Sequence, residues 1–179
     1  MDVLSQLDEL GPQLAGVVGG ISSDELDNAT PCAHFSVRGV LEHMIGGATL
    51  FAAAFRGTEP AAADTSDVLA GFGAALTDLV TAIREPGALE RTVQAPFGAV
   101  PGETFARFVV LDGLVHGWDM ATATGQPYAP PDALVAEVHD FAREALVPLR
   151  DGDTFAEPVE PPTGSSPIER LAAFTGRRV

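Results

Sequence analysis

The chain has 179 residues, 46% of them hydrophobic, which is enough for one domain with a buried core. It carries 10 Lys and Arg against 25 Asp and Glu, a formal charge of −15. Such an acidic chain is not expected to bind nucleic acid or an anionic membrane surface, so we expect a small molecule or a protein as its partner. The N-terminus lacks a signal-peptide pattern, no apolar run is long enough for a membrane span, and Cys32 is the only cysteine. These features favour the cytoplasm.

Apolar residues that recur every three or four positions predict helices through most of the chain. Caps and breakers then place the ends of each helix. In chain order we first predict a helix ending at Gly19-Gly20, a helix from about Val37 to Arg56 capped by Ser36, and a helix capped by Thr65 or Ser66. An extended piece and turn within 89–102 then precede a helix bracketed by Pro101 and Gly125. The last two predicted elements are a helix that begins at Pro130-Pro131-Asp132 and reaches Pro148, and a short helix that packs through Ile168, Leu171 and Phe174.

The helix between Pro101 and Gly125 carries three polar residues on one face. Asp112, His116 and Asp119 follow one another at spacings of four and three, which aligns them along a helix. Apolar residues share this face, so we expect the polar side chains to point into the protein. A carboxylate buried among apolar groups costs several kcal/mol unless it is paired. We therefore expect a hydrogen-bond partner, a counter-charge or a metal ion beside Asp112.

A metal ion is one way to compensate this carboxylate. Helix bundles build metal sites from inward-facing side chains of neighbouring helices. Asp112 and His116, one turn apart, and His43 from the second helix would supply ligands that suit zinc, nickel or ferrous iron, with one position open for water or substrate. The alternative is that Asp112 and His116 form a hydrogen-bonded or ion-paired couple that fixes helix register.

Four other polar residues have a structural interpretation as well as a functional one. Asp119 is either an acceptor for His116 or an acceptor for an N–H group near Trp118, and we prefer the second. Cys32 precedes a helix N-terminus, which would lower its pKa, but we prefer a role as a small packing residue. His34 is interpreted as a solvated linker residue and His139 as a partly exposed residue.

Three stretches of the sequence carry a family resemblance: ATPCAHFSVRGVLEHMIGG, VLDGLVHGWDMATATGQP and SPIERLAAFTGRRV. Together they resemble the DinB/YfiT-like superfamily, in its actinobacterial branch related to mycothiol-dependent maleylpyruvate isomerase. The resemblance covers nearly the whole chain. It implies an all-α fold, a DinB-like four-helix bundle with an extra C-terminal helix and a short extended insertion. We expect residues 1–150 to form the metal-binding bundle, with an acidic extended segment and a short helix at 151–179 packed on the same domain.

The resemblance also implies a divalent metal, zinc or nickel, held by His43, Asp112 and His116. At the position of Asp112 many relatives have His, and the isomerase type has Glu, which is longer by one methylene. The isomerase has a further C-terminal domain that contributes to its active site. Because 179 residues leave no room for that domain, we expect an activity other than maleylpyruvate isomerisation.

Thiol-transferase members of the superfamily suggest what that activity is. In them the metal binds a low-molecular-weight thiol such as mycothiol and presents it as a thiolate to an electrophile. The resemblance thus implies a metal-dependent, mycothiol-type S-transferase or isomerase acting on a small electrophile. The alternative is a non-catalytic ligand-binding or stress-associated bundle in which Asp112 and His116 are a structural pair. A third hypothesis is a module that forms a homodimer through a face of the bundle.

Overall fold

The computed structural model describes residues 1–95, 98–150 and 156–179. Within these ranges the predicted all-α fold with a short extended insertion is confirmed. The elements are α1 (Val3–Gly19), α2 (Val37–Arg56), α3 (Val68–Ile83), β1 (Thr92–Ala95), β2 (Gly98–Pro101), α4 (Gly102–Thr124), α5 (Asp132–Ala145) and α6 (Pro167–Phe174). Short 3-10 helices at Ser23–Glu25 and Val147–Leu149 lie between them.

Helices α1 to α4 form a four-helix bundle. Helix α2 packs along α3, α1 packs along α4, and α2 also contacts α4. The largest side chains buried between them are Phe55, Phe105, Leu14, Leu41, Ile83 and Leu114. Helices α5 and α6 pack against each other and against α4, so α4 has neighbours on several sides. None of the described helices is long and apolar enough to cross a membrane.

Most helix ends follow the caps encoded in the sequence, but the cap of α3 differs from the prediction. The Ser36 side chain accepts a hydrogen bond from the Gly39 amide, as predicted for α2, and α4 ends at Gly125, which has a φ of 65°. The cap of α3 is Asp67, not Thr65 or Ser66, because Asp67 accepts from the amide of Ala70. Ser66 instead donates its amide and hydroxyl to Asp64.

The predicted extended piece is an antiparallel hairpin. Strand β1 pairs with β2 so that Val93 lies opposite Val100, and the hairpin packs against α2 and α4. Pro96 and Phe97, part of the predicted turn, lie outside the described residues. At the end of the hairpin a Cβ on Gly102 would lie 2.1 Å from the carbonyl oxygen of Ala88, so this position requires glycine. The hairpin thereby leads directly into α4.

The C-terminal segment returns to the bundle through α6. The first five residues of the predicted acidic segment, 151–155, lie outside the described residues, and residues 156–166 have no regular structure. The Val159 amide donates to the carbonyl of Ala173 at 2.9 Å, which holds this segment against α6. Ile168 and Leu171 are buried as predicted. Helix α5 ends at Ala145, before the predicted Pro148, and a 3-10 turn follows it.

Candidate metal centre

Two glycines bring α4 close to α1. A Cβ on Gly113 would lie 2.7 Å from Leu10 Cδ2, and a Cβ on Gly117 would lie 3.0 Å from Leu14 Cδ2. Each glycine follows a candidate ligand by one residue, which is about 100° around the helix. Asp112 and His116 therefore lie on a neighbouring face of α4, which contacts His43 on α2.

The structure brings the three candidate ligands together. His43 Nε2 lies 3.5 Å from Asp112 Oδ1, and His116 Nε2 lies 3.4 Å from the same oxygen. One ligand atom from each residue can be chosen so that all three lie within 4.8 Å of one another. The two helices thus direct two imidazole nitrogens and one carboxylate oxygen at a common point.

The spacing of these atoms fits a divalent metal ion. Two ligand atoms bound at about 2.0–2.1 Å to a tetrahedral zinc ion lie roughly 3.4 Å apart. The distances of 3.4 and 3.5 Å from Asp112 to the two rings are close to that separation. They are long for hydrogen bonds, which for N–H donors have N···O distances near 2.9–3.0 Å. The residues present therefore fit a metal ion in number, type and spacing.

The His116 ring is oriented by a buried carboxylate. His116 Nδ1 lies 3.0 Å from Asp119 Oδ2, and the side chains of the two residues are 6% and 0% exposed. Asp119 also binds the guanidinium group of Arg177, and a carboxylate in such a pair accepts hydrogen bonds. The Nδ1 atom of His116 therefore carries a proton and donates it to this hydrogen bond. When a metal ion is bound, the ring is neutral and its lone pair is on Nε2, the atom that faces Asp112. Histidine ligands of metals are commonly oriented in this way by a second carboxylate.

The cation that pairs with Asp119 comes from the end of the chain. Arg177 Nη2 donates to Asp119 Oδ2 at 3.0 Å, and its Nε lies 3.4 Å from Oδ1. This contact corrects our preferred interpretation of Asp119, because the carboxylate binds His116 and Arg177 and serves as the acceptor for the imidazole. Sequence reasoning missed Arg177. The sequence feature that points to such a partner is Asp119 itself, because an acidic residue on a buried helix face needs a cation from another part of the chain.

Asp112 itself is less buried than expected. The side chain of Asp112 is 40% exposed, whereas that of Asp119 is 0% exposed. Of these two carboxylates, the bundle fully encloses only Asp119. Burial works to raise the pKa of Asp112, but the facing rings of His116 and His43 outweigh it and lower the pKa. Asp112 is therefore a carboxylate at neutral pH, at the edge of a recess that solvent reaches.

The His43 ring forms the open side of the cluster. Its side chain is 41% exposed, and the ring of Phe35 stacks on it with centroids 5.4 Å apart. The interaction with Asp112 raises the pKa of His43, although burial opposes the shift. The ring of His116 meets that of His43 edge-on at 5.0 Å. The aromatic contacts fix the orientation of His43, while its exposed edge leaves the cluster accessible to small molecules.

The remaining residues singled out in the sequence are not among the three candidate ligands of this cluster. His34 is exposed and His139 is half-buried against Phe174, as expected. Cys32 is half-buried, and burial raises the pKa of its thiol, contrary to the lowering that a helix N-terminus would give. Trp118 is a core residue with 7% exposure. The raised pKa leaves Cys32 with less thiolate than an ordinary cysteine has at the same pH.

Comparison with known proteins identifies the family. Residues 7–121 match the family described as the mycothiol maleylpyruvate isomerase N-terminal domain. The chain belongs to this family. The matched region of this family member contains His43, Asp112, His116 and Asp119, whereas Arg177 lies beyond it. Membership places the chain in a mycothiol-related family whose fold is a DinB-like bundle, and the His-Asp-His cluster gives it a candidate metal site.

Two full-length relatives of this family member come from Mycobacterium tuberculosis. They are the uncharacterized protein MT0763 of strain CDC 1551 / Oshkosh and the uncharacterized protein Rv0738 of strain ATCC 25618 / H37Rv. Each is 31% identical over 183 residues, and the match covers 100% of both chains. No solved structure matches the chain.

Proposed function

We propose that the protein binds a divalent metal ion, zinc or nickel, and uses it for thiol-dependent transfer or isomerisation of a small electrophile, with mycothiol as the thiol. The observation that carries the proposal is the position of Asp112 Oδ1, 3.5 Å from His43 Nε2 and 3.4 Å from His116 Nε2. Family membership supports the choice of mycothiol.

Each residue of the cluster has a distinct part in this proposal. His43, Asp112 and His116 hold the ion. Asp119 accepts a hydrogen bond from the Nδ1–H group of His116, which leaves Nε2 to bind the ion, and Arg177 compensates the charge of Asp119. A bound divalent ion lowers the pKa of a coordinated thiol, as it does that of water. No nucleophile from the protein is required.

The reaction that this arrangement serves is a nucleophilic substitution or addition at carbon. The thiol loses its proton to solvent, and its sulfur forms a bond to the electrophilic carbon. In a transfer the leaving group departs with the bonding electron pair. In an addition the π electron pair moves to the neighbouring atom, which takes a proton from solvent, and in an isomerisation the carbon–sulfur bond then breaks and the thiol is released. Access comes from the side where His43 and Asp112 are 41% and 40% exposed. The buried His116, at 6% exposure, anchors the site from the opposite side.

A second candidate function has an observation in its favour. The raised pKa of His43 means that a proton, in place of a metal ion, can hold Asp112 beside its ring. In that case the cluster is a structural ion pair, and the protein is a non-catalytic ligand-binding bundle. Supplying metal distinguishes the two functions, because a metal centre binds the ion and a structural ion pair does not.

The test is the rate at which the zinc-loaded protein joins mycothiol to an aryl halide, followed by absorbance of the thioether. We expect Asp112→Asn to reduce the rate to the uncatalysed level and Asp112→Glu to retain activity, since Glu keeps the carboxylate. His34→Ala, an exposed histidine outside the cluster, is the matched control and should be fully active. Equal rates for the wild type, Asp112→Asn and the metal-stripped protein would contradict the proposal.

A further inference from the structure

A narrow apolar cavity begins beside Asp112 and runs into the bundle. Its volume is about 40 Å³, and its walls come from α1, α2, α3 and α4. Of the described residues that line it, Asp112 alone carries a charge, and the others are apolar residues or glycines. Asp112 thus belongs both to the candidate metal centre and to the lining of this cavity.

A larger groove on the surface adjoins the cavity. It lies between α1 and α3, encloses about 740 Å³ and is within the usual size range of ligand pockets. The cavity and the groove have five lining residues in common: Leu7, Gly11, Phe72, Leu76 and Val80. A Cβ on Gly11 would meet no atom within 4 Å, so the space beside this shared wall is open.

We propose that the cavity and groove receive an unbranched alkyl arm of the substrate, whose reactive end lies at Asp112. The inference rests on the proposed function for the reactive end and adds the substrate class. A volume of about 40 Å³ corresponds to roughly three water-sized positions, which is too narrow for a fused ring.

The apolar walls of the cavity select an uncharged arm, although the groove outside it also presents Asp8, Thr77 and Thr81. Apolar cavities of this kind stay dry and bind apolar molecules, whereas a charged group would be buried there without a partner. The formal charge of −15 further disfavours an anionic arm. An alkyl chain gains free energy with each methylene that leaves water.

The first test uses the metal-free protein and 1-alkanols from butanol to octanol, with Kd measured by calorimetry. We expect roughly fourfold tighter binding for each methylene that enters the cavity. Gly11→Met fills the open space and should abolish this dependence. Gly16→Met adds the same side chain to an exposed position of α1 and should preserve it. Equal Kd values for butanol and octanol, or an unchanged series in a folded Gly11→Met, would overturn the inference.

The second test links the cavity to the metal centre. Ethanethiol and 1-hexanethiol are titrated into cobalt-loaded protein, and binding is followed by the cobalt–thiolate absorption. We expect hexanethiol to bind more tightly than ethanethiol to both the wild type and Gly16→Met. In Gly11→Met the two thiols should bind with equal affinity. Equal binding of the two thiols to the wild type would overturn the inference. Failure to load cobalt would contradict the proposed function, while the alkanol series would still decide whether the cavity takes an alkyl chain.

Discussion

Arg177 is the residue whose loss we expect to cost the most stability. It is 14% exposed and pairs with Asp119, which is 0% exposed. Arg177→Ala leaves a buried carboxylate without its cation, so we predict a loss of about 3–5 kcal/mol in the free energy of unfolding. Arg143→Ala removes an exposed partner of Asp140 and should cost less than about 0.5 kcal/mol. Urea unfolding of both variants measures the difference, and similar small losses would show that Asp119 does not depend on Arg177.

Asp119 is also predicted to control metal binding through His116. Asp119→Asn keeps the shape of the side chain but removes the charge that orients the imidazole. We expect zinc affinity to fall by roughly 10–100-fold, as for other carboxylates that support a histidine ligand. Asp140→Asn, the same change on an exposed residue, should leave the affinity unaltered. Competition with a chromophoric chelator measures both variants. An unchanged affinity in Asp119→Asn would exclude this role.

Cys32 is predicted to react slowly at neutral pH. Burial raises the pKa of its thiol, so the folded protein contains less thiolate at pH 8 than an ordinary cysteine does. Alkylation by iodoacetamide should therefore be slower in the folded protein than in urea, and its rate should keep rising above pH 9. Mass spectrometry of the labelled protein measures the rates. A folded protein that reacts as fast as the unfolded chain at pH 8 would contradict this account.

For individual residues, the sequence predicts which side chains belong to the candidate metal site better than it predicts how exposed they are. The spacing of Asp112 and His116 on one helix face follows from helical periodicity, and this pairing is present in the structure. The same periodicity cannot say how close solvent comes to each position. Asp119 is consequently buried as expected, whereas the side chain of Asp112, expected to be buried too, is 40% exposed.

Among the elements, α4 depends most on the absence of side chains at two positions. A Cβ on Gly117 would lie 2.5 Å from the Tyr128 hydroxyl oxygen. We predict that Gly117→Ala destabilises the protein by about 1–3 kcal/mol through overpacking, despite the higher helix propensity of Ala. Gly16→Ala, in α1 with no atom within 4 Å of the added Cβ, should stabilise by about 0.5–1 kcal/mol. Midpoints of urea unfolding report both signs, and stabilisation by Gly117→Ala would refute the packing argument.

The elements were largely predictable because their ends are encoded locally. Ser36 and Gly125 stop their helices through contacts within a few residues, and both were predicted. The cap of α3 was not predicted correctly, because four consecutive residues are all of a type that caps helices: Asp64, Thr65, Ser66 and Asp67. The choice depends on which of them is already engaged, and Ser66 is bonded to Asp64.

For the whole molecule, the candidate centre combines distant parts of the chain. Helix α2 supplies His43, α4 supplies Asp112, His116 and Asp119, and the C-terminus supplies Arg177, 58 residues from Asp119. The first two contributions could be predicted, since both are polar positions on periodic helices. The third could not, because the segment before α6 has no periodicity from which its course can be read.

The central claim is that His43, Asp112 and His116 form a metal site. Its most direct test is the metal content, by mass spectrometry, of protein purified without an affinity tag or chelator, before and after zinc is added. We predict about one equivalent in the wild type and in His34→Ala, and little in His43→Ala and His116→Ala, with all four proteins folded. Stoichiometric metal retained in both ligand variants, or none in the wild type after zinc is supplied, would contradict the account.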